Sequence, residues 1–530
     1  MQDHTVEVDT SASESQFHFA DNFNVVVPFV DRHIAEGRGE KVVIRTADGV
    51  SVTYAQLAEN VNCCGNVLKG LGIEHGDRVL MVVKDCAEFF YLFWGAIKAG
   101  FVPVPLNTLL RSSDYQYTVE DSACSALFYS PEFAAEVEPA LSAARIKPAH
   151  ALLTEGSDHA LSKLLTEAPT TLDVQPAAAT DECFWLYSSG STGKPKGAVH
   201  RHWDMVVTGV GYAQQTLGMR EEDVCFSAAK LFFAYGLGNA MSMPLWTGAS
   251  VVLFGGRPTP DTTFEVIEKF RPSLYFGVPT LYAAQVQALE AAPRDLSSIR
   301  LCVSAGEALP PHLFESWKEK TGTIILDGIG STEALHIFIS NQPDNAIPGT
   351  SGRLVPGYSA KIIDENGNQV PTGEGGQLYI KGDSTAAYYW NNPEKTAATM
   401  VDGWLNTGDT YRSDDNGLFY YEGRSDDMMK VGGIWCSPFE IEATLAEHPA
   451  VLEAAVVARE DDDTLVKPEA FLVLKDPSQG GNALTDELVA HCKDKLAKYK
   501  YPRWFNYVEE LPKTATGKIK RFELRKLNEH

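Results

Sequence analysis

A chain of 530 residues is longer than one hydrophobic core organises, so about two to four compact units are expected. Hydrophobic residues at 44% and charged residues at 22% are an ordinary globular composition, and 45 Lys+Arg against 70 Asp+Glu give a formal charge of −25. That balance excludes a surface built for nucleic acid or anionic membrane, and any polyanionic ligand must find a locally positive pocket.

Residues 1–15 are polar and acidic, without a basic and then apolar run, so no signal peptide is expected. The nine Cys include no C-x-x-C pair and read as buried free thiols of a reducing cytoplasm. The most apolar stretch, 87–106, is interrupted by Glu88, Gly95, Lys98, Gly100, Pro103 and Pro105. It reads as a core helix followed by an extended segment, not as a membrane span.

Short runs rich in Val, Ile, Leu and aromatics predict strands at 78–83, 126–129, 184–187, 250–254, 273–278, 301–304 and 323–326. Helical periodicity lies between several of them, as at 263–270 and 311–320. The alternation predicts an α/β fold with parallel-rich sheets, whose ligands gather at loops beyond the carboxyl ends of strands. After Pro356, Asn366-Gly367, Thr372-Gly373, Gly375-Gly376 and Asn416-Gly417 announce hairpins and a β-rich region. Beyond Gly432-Gly433, Ser437-Pro438-Phe439-Glu440 predicts a capping box and a helix towards His448. Strands at 451–457, 470–474 and 504–508 and a helix at 487–499 complete a separate small α+β domain. The expected division is 1–425 and 426–530, with a short linker at 424–426.

The stretch Tyr187-Ser188-Ser189-Gly190-Ser191-Thr192-Gly193-Lys194-Pro195-Lys196-Gly197 carries the strongest chemical signal. Its glycines let the backbone approach a ligand closely, so that N–H groups can face phosphate oxygens, while hydroxyls and lysines add donors and positive charge. It is not a Walker A loop, because only two residues separate Gly190 from Gly193-Lys194.

This loop is followed in order by Ser304-Ala305-Gly306-Glu307, by Asp327-Gly328-Ile329-Gly330-Ser331-Thr332-Glu333 and by Trp404-Leu405-Asn406-Thr407-Gly408-Asp409. Gly423-Arg424-Ser425-Asp426-Asp427-Met428-Met429-Lys430 and Pro512-Lys513-Thr514-Ala515-Thr516-Gly517-Lys518 complete the series. Six motifs in this order closely resemble the adenylate-forming superfamily of acyl-CoA synthetases, luciferases and peptide-synthetase adenylation domains, over almost the whole chain.

The resemblance implies the site. Ser188, Ser189, Gly190, Ser191, Thr192, Gly193 and Lys196 would cradle the phosphates of ATP. Thr332 would touch the α-phosphate and Glu333 would hold Mg²⁺, a hard cation that takes oxygen ligands. Gly306, Glu307 and Ala308, with Asp327, Gly328 and Ile329, would form the adenine slot, and Ala305, Gly330 and Ser331 would belong to the same cofactor site. Asp409 would clamp the ribose hydroxyls beside Arg424. Lys518 would be the adenylation lysine, stabilising charge as a carboxylate attacks the α-phosphate. Rotation of the small domain about Asp426 would then bring Lys430, Gly432 and Gly433 to the site for coenzyme A.

The stretch Lys230 to Asn239, with Cys225 to Ala229 before it and Asp327 to Ser340 later, resembles the benzoate–CoA ligase branch. Phe233, Ala234, Tyr235, Leu335, His336 and Ile337 are the expected walls of a pocket for a flat ring. Leu335 matches the benzoate enzymes, where 4-hydroxybenzoate enzymes carry Gly, and a bulky Leu offers a para-hydroxyl no partner. Ala334, where related enzymes usually carry Met, opens room for an ortho or meta group. Benzoate leads, with 2-aminobenzoate and hydroxybenzoates as alternatives. Two other readings stand beside it, a stand-alone enzyme loading a carrier protein and a silent adenylate-binding regulator. No fused carrier domain is expected, and the sequence leaves monomer and homodimer both open.

Overall fold

The computed structural model describes residues 1–10, 15–188, 194–431, 434–461, 465–497, 499–513 and 519–527. Among these, six strands run parallel in the order Ile325–Gly330, Leu301–Ser304, Leu274–Gly277, Val224–Ser227, Ser250–Leu253 and Val42–Thr46. Antiparallel strands extend the sheet to nine: Ile337–Ser340 and Arg353–Leu354 at one end, Ser51–Thr53 at the other. The three strands Ser250–Leu253, Leu274–Gly277 and Leu301–Ser304 are buried at every position, as parallel strands covered on both faces must be. Helices Pro260–Phe270, Pro279–Ala291 and Pro311–Thr321 each begin on a proline, which the first turn tolerates because its N–H has no helical partner.

A second parallel sheet is ordered Val102–Pro105, Arg78–Val82, Ala126–Tyr129, His150–Leu153. The strand with two prolines takes the edge, where missing N–H donors cost least. The apolar stretch before it forms the helix Ala87–Ala99, packed against the helix Tyr54–Gly70 through glycine. A Cβ on Gly95 would lie 2.8 Å from Cys64 Cβ, so bare backbone is needed at that crossing. Among the described residues no helix is long and apolar enough to cross a membrane. All nine cysteines are buried and free, as expected.

The Gly-turn region forms a five-stranded antiparallel sheet of Ser359–Ile363, Gly376–Lys381, Trp404–Ser413, Met400–Val401 and Phe419–Arg424. The last part of the chain builds a smaller α+β unit. Val451–Glu460 and Val466–Leu474 pair antiparallel, Trp504–Tyr507 joins in parallel, and Pro438–Ala446 and Asn482–Lys495 pack on them. Its core gathers Ile441, Leu445, Val456, Leu472, Leu488 and Cys492. The protein is thus a large α/β domain with a β-rich portion, followed by a small α+β domain. The capping box expected at Ser437 is half formed. Ser437 Oγ accepts from the Glu440 N–H, but the Glu440 carboxylate turns to Lys500.

Candidate active site

The carboxyl ends of the parallel strands line up in register: Ser227 beside Phe276, Gly277 beside Ser304, Ser304 beside Asp327. Ser304 and Asp327 are buried there, and among the described residues Ser304 Oγ and Asp327 Oδ1 have no hydrogen-bond partner. A buried polar atom left unpaired costs about 1–3 kcal/mol, so these two mark a place where a polar ligand restores the balance. Burial pushes the Asp327 carboxyl well above the usual carboxylate range, against backbone N–H groups of Leu309 and Gly328. Ala305 is buried at the mouth of this edge, while Gly306 is exposed at φ +94°, and Glu307 and Ala308 follow it half-buried.

Strand Ile325–Gly330 runs longer than the expected 323–326 segment, because its glycine end turns back to pair with Ile337–Ser340. A Cβ on Gly328 would lie 2.9 Å from Ile339 O, and one on Gly330 2.5 Å from His336 O, so both glycines permit the close return. The connection carries Ser331, Thr332, Glu333, Ala334, Leu335 and His336. Leu335 N–H donates to Thr332 O at 3.1 Å, and Leu335 sits at φ +67°, a strained conformation for a side chain of its size.

The phosphate-loop segment is framed by a hairpin. Glu182–Ser188 and Lys196–Arg201 pair antiparallel, Lys196 opposite Ser188, and Tyr388–Tyr389 joins the far side. Ser189, Gly190, Ser191, Thr192 and Gly193 lie outside the described residues. The hairpin base is fixed by the Tyr187 hydroxyl, which donates to Asp121 Oδ2 at 2.7 Å, and by Trp390 Nε1, which donates to Asp121 O at 2.9 Å.

Glu333 meets this hairpin. Ser188 Oγ donates to Glu333 Oε1 at 3.0 Å and the Tyr389 hydroxyl to the same oxygen at 2.7 Å. Burial alone would raise the Glu333 carboxyl, but Tyr389, the Lys196 ammonium and Ser188 together hold it below its usual value. Lys196 lies 4.9 Å above the Tyr389 ring, and burial lowers its pKa, with Glu333 opposing and Lys395 and Arg424 reinforcing. A carboxylate kept anionic inside a cationic neighbourhood is the electrostatic pattern a metal–polyphosphate ligand requires.

Asp409 and Arg424 stand directly opposite each other on paired strands. Arg424 Nη1 donates to Asp409 Oδ1 at 2.9 Å and to Thr407 O at 3.0 Å. Gly408 lies at φ +71°, and a Cβ there would come within 2.6 Å of Arg424 Nη2, so the turn and the ion pair both call for glycine. Burial lowers and Asp409 raises the Arg424 pKa, with a net rise. Three residues on, Asp427 is held by Arg525 at 2.8 Å and Arg521 at 3.5 Å, from the chain's last helix. Asp426, between the two anchored residues, is exposed in a turn. Lys430 pairs through its backbone with Trp435, whereas Gly432, Gly433 and Lys518 lie outside the described residues.

Of the expected pocket residues, Tyr235 and His336 are brought together. Tyr235 and His336 rings lie 5.7 Å apart, and the Tyr235 hydroxyl donates to Gly277 O and Val303 O at 3.2 Å. Ala234, Leu335, His336 and Ile337 are buried in the main core; Phe233, half-buried, has its ring 4.3 Å from that of Phe232 and tilted by 59° to it. His336 Nε2 lies 3.1 Å from Asn239 Oδ1, and burial lowers its pKa to about 3, so the imidazole is neutral. Sequence reasoning missed Asn239, Tyr212 (5.0 Å from His336, ring to ring), Tyr389 and His200.

The AMP-binding enzyme family model matches residues 31–390, and the AMP-binding enzyme C-terminal domain model matches 440–518. The chain belongs to the AMP-binding enzyme family. Among its curated relatives, a benzoate–CoA ligase of Thauera aromatica is 48% identical over 521 residues, 98% of each chain. Two solved members of the family are also similar over nearly their full length. One is the anthranilate CoA ligase AuaEII in complex with anthranoyl-AMP, with TM-score 0.92, 41% identity and coverage of 96% of this chain and 98% of that one. The other is a benzoate CoA ligase from Burkholderia xenovorans LB400, with TM-score 0.88, 43% identity and coverage of 95% and 100%.

Proposed function

We propose that this enzyme joins a small aromatic carboxylate, benzoate foremost, to coenzyme A through an acyl-adenylate, releasing AMP and pyrophosphate. The observation that carries this reading is the single hairpin turn at 331–336. It sets Glu333 against the phosphate-loop hairpin and, three residues on, places the His336 ring beside Tyr235. Acid and ATP would therefore meet on one short, doubly anchored segment, and holding two reactants in one geometry lowers the barrier to their reaction.

ATP and coenzyme A are the co-substrates. Ser188 and Lys196, with the loop between them, bind the phosphates; Asp409 receives the ribose hydroxyls beside Arg424; the Asp327 and Gly306 edges flank the adenine. Among the described residues no group of three or more His, Cys, Asp or Glu could hold a metal unaided. A lone anionic Glu333 nevertheless fits Mg²⁺, which binds through one or two carboxylates plus substrate phosphates and water. When bound, the ion would neutralise charge on those phosphates. Lys518 serves the first half-reaction, and the small domain then turns about Asp426 to bring Lys430 and Gly432-Gly433 to the thioester step. The anchoring of Arg424 to one domain and Asp427 to the other supports a swivel between them.

A second reading, 2-aminobenzoate, is favoured by the neutral, buried imidazole of His336, whose Nδ1 has no hydrogen-bond partner among the described residues and can share one with an ortho-amino group. Measuring kcat/KM with coenzyme A for benzoate, 2-aminobenzoate, the hydroxybenzoates and cyclohexanecarboxylate separates these. Benzoate should lead, and turnover with a carrier protein but not coenzyme A would overturn the ligase reading.

A further inference from the structure

Side chains alternate along a strand, so Lys196, Ala198 and His200 share one face of Lys196–Arg201. At one end of that face Lys196 lies 4.9 Å above the ring of Tyr389, whose hydroxyl donates to Glu333 at 2.7 Å. At the other, His200 Nε2 lies 2.9 Å from the carbonyl oxygen of Thr332. One short strand thus addresses two consecutive residues of the turn.

His200 and Asp204 are both fully buried. Asp204 Oδ2 lies 2.8 Å from His200 Nδ1 and also accepts the Arg201 N–H at 3.1 Å, while the Phe184 ring stacks on the imidazole at 5.1 Å and 16°. Both ring nitrogens face oxygen atoms, so the imidazole is oriented from both ends. From the segment that leads into Tyr388–Tyr389, Ala386 N–H donates to Glu333 O at 2.7 Å and the Ser384 hydroxyl to Ala334 O at 2.8 Å. The carbonyls of Thr332, Glu333 and Ala334 are therefore each tied to a partner outside the turn. Of those partners, His200 belongs to the strand that leaves the phosphate loop.

We propose that the buried Asp204–His200 pair is a positioning device for adenylation: the imidazole, oriented by Asp204, fixes the Thr332 carbonyl and so sets Thr332 and Glu333 at a constant distance from Lys196 and the phosphate loop. The inference rests on the reading that Thr332 and Glu333 act at the ATP phosphates. His200 itself acts only through Thr332. A displacement of about 1 Å at such a site can cost about 10²-fold in rate.

Two substitutions divide the imidazole's bonds. Gln at 200 places an amide near the Nε2 position and keeps the contact to Thr332; Asn places it near Nδ1 and keeps the contact to Asp204. His200→Asn should lower kcat for acid-dependent ATP–pyrophosphate exchange by about 10²-fold. His200→Gln should stay within about tenfold of the parent, and both should turn supplied acyl-adenylate into thioester at nearly the parent rate. Equal exchange in the two variants, a more active Asn variant, or parallel loss of both half-reactions overturns the proposal. Should both variants melt early, Asp204→Asn, which retains the imidazole, is the deciding variant: exchange alone should fall, and unchanged exchange overturns the proposal. Glu333→Gln run alongside separates the two readings. If exchange survives it, the role given to Glu333 falls and the positioning role with it; if it abolishes exchange and His200→Asn does not, only the positioning role falls.

Discussion

Gly238 and His336 compete for one volume: a Cβ on Gly238 would lie 2.4 Å from His336 Cδ2 and 2.7 Å from its Nε2. The imidazole is lodged against bare backbone, with Asn239 Oδ1 3.1 Å from Nε2. Gly238→Ala must displace the His336 imidazole, because the added Cβ and the ring cannot both be accommodated. KM for the aromatic acid should rise about tenfold or more while KM for ATP stays nearly unchanged, because the carbonyls of Thr332, Glu333 and Ala334 keep their own partners outside the turn. Steady-state kinetics with each substrate varied checks this, and an equal rise in both KM values contradicts it.

Leu335 carries a backbone conformation that glycine adopts freely, at φ +67°. An L-residue held left-handed costs about 1–2 kcal/mol, so the usual order of substitution inverts here. Leu335→Gly should be more stable than Leu335→Ala although it buries less, by about 1 kcal/mol in denaturant unfolding. Both open the same space beside the ring. The ratio of kcat/KM for 4-hydroxybenzoate to that for benzoate should rise about tenfold or more in each. An unchanged ratio would remove Leu335 from the pocket.

Strands 126–129 and 301–304 were legible to the residue, since each is a short apolar run that only burial on both faces explains. The small domain was legible for the same reason, from alternation and a capping serine. What the sequence did not display is long-range pairing. Tyr389 reaches Glu333 across 56 positions, Ser384 reaches Ala334 across 50, and His200 reaches Thr332 across 132. His200 left one weak trace, its place on the same strand face as Lys196, and a histidine at a strand position reads first as core. The backbone strain at Leu335 had no trace, because leucine there conflicts with local preference and is imposed by the hairpin's closure around Gly330.

Tyr389 sets the charge state of Glu333. Its hydroxyl is the largest of the contributions that hold the carboxyl below its usual value against burial. The folded pKa is depressed, so the anion persists below the normal carboxylate range and is lost only as pH falls through that lowered value. Tyr389→Phe removes the donor and lets burial act, which raises the Glu333 pKa. The acidic limb of the pH profile for ATP–pyrophosphate exchange should move upward, and kcat/KM for ATP should drop about tenfold at neutral pH, the loss of one hydrogen bond to a charged group. A profile that shifts to lower pH would contradict the account.

The exposed turn at Asp426 separates two anchored residues, Arg424 on Asp409 and Asp427 on Arg521 and Arg525. Asp427 and Met428 N–H groups both return to Arg424 O, at 2.9 and 3.1 Å, and the Asp426 N–H takes no part in this turn. Proline at 426 fixes φ near −65° and restricts Ser425 before it, so rotation about this point is suppressed while both anchors remain. If the small domain turns here between half-reactions, Asp426→Pro should lower thioester formation from supplied acyl-adenylate by about tenfold or more and leave ATP–pyrophosphate exchange within about twofold. Lys518→Ala should give the mirror image, with exchange reduced by about 10²-fold and thioester formation retained. The two variants together are stricter than either alone, because a general loss of folding lowers both reactions in both proteins, whereas a domain exchange lowers a different one in each.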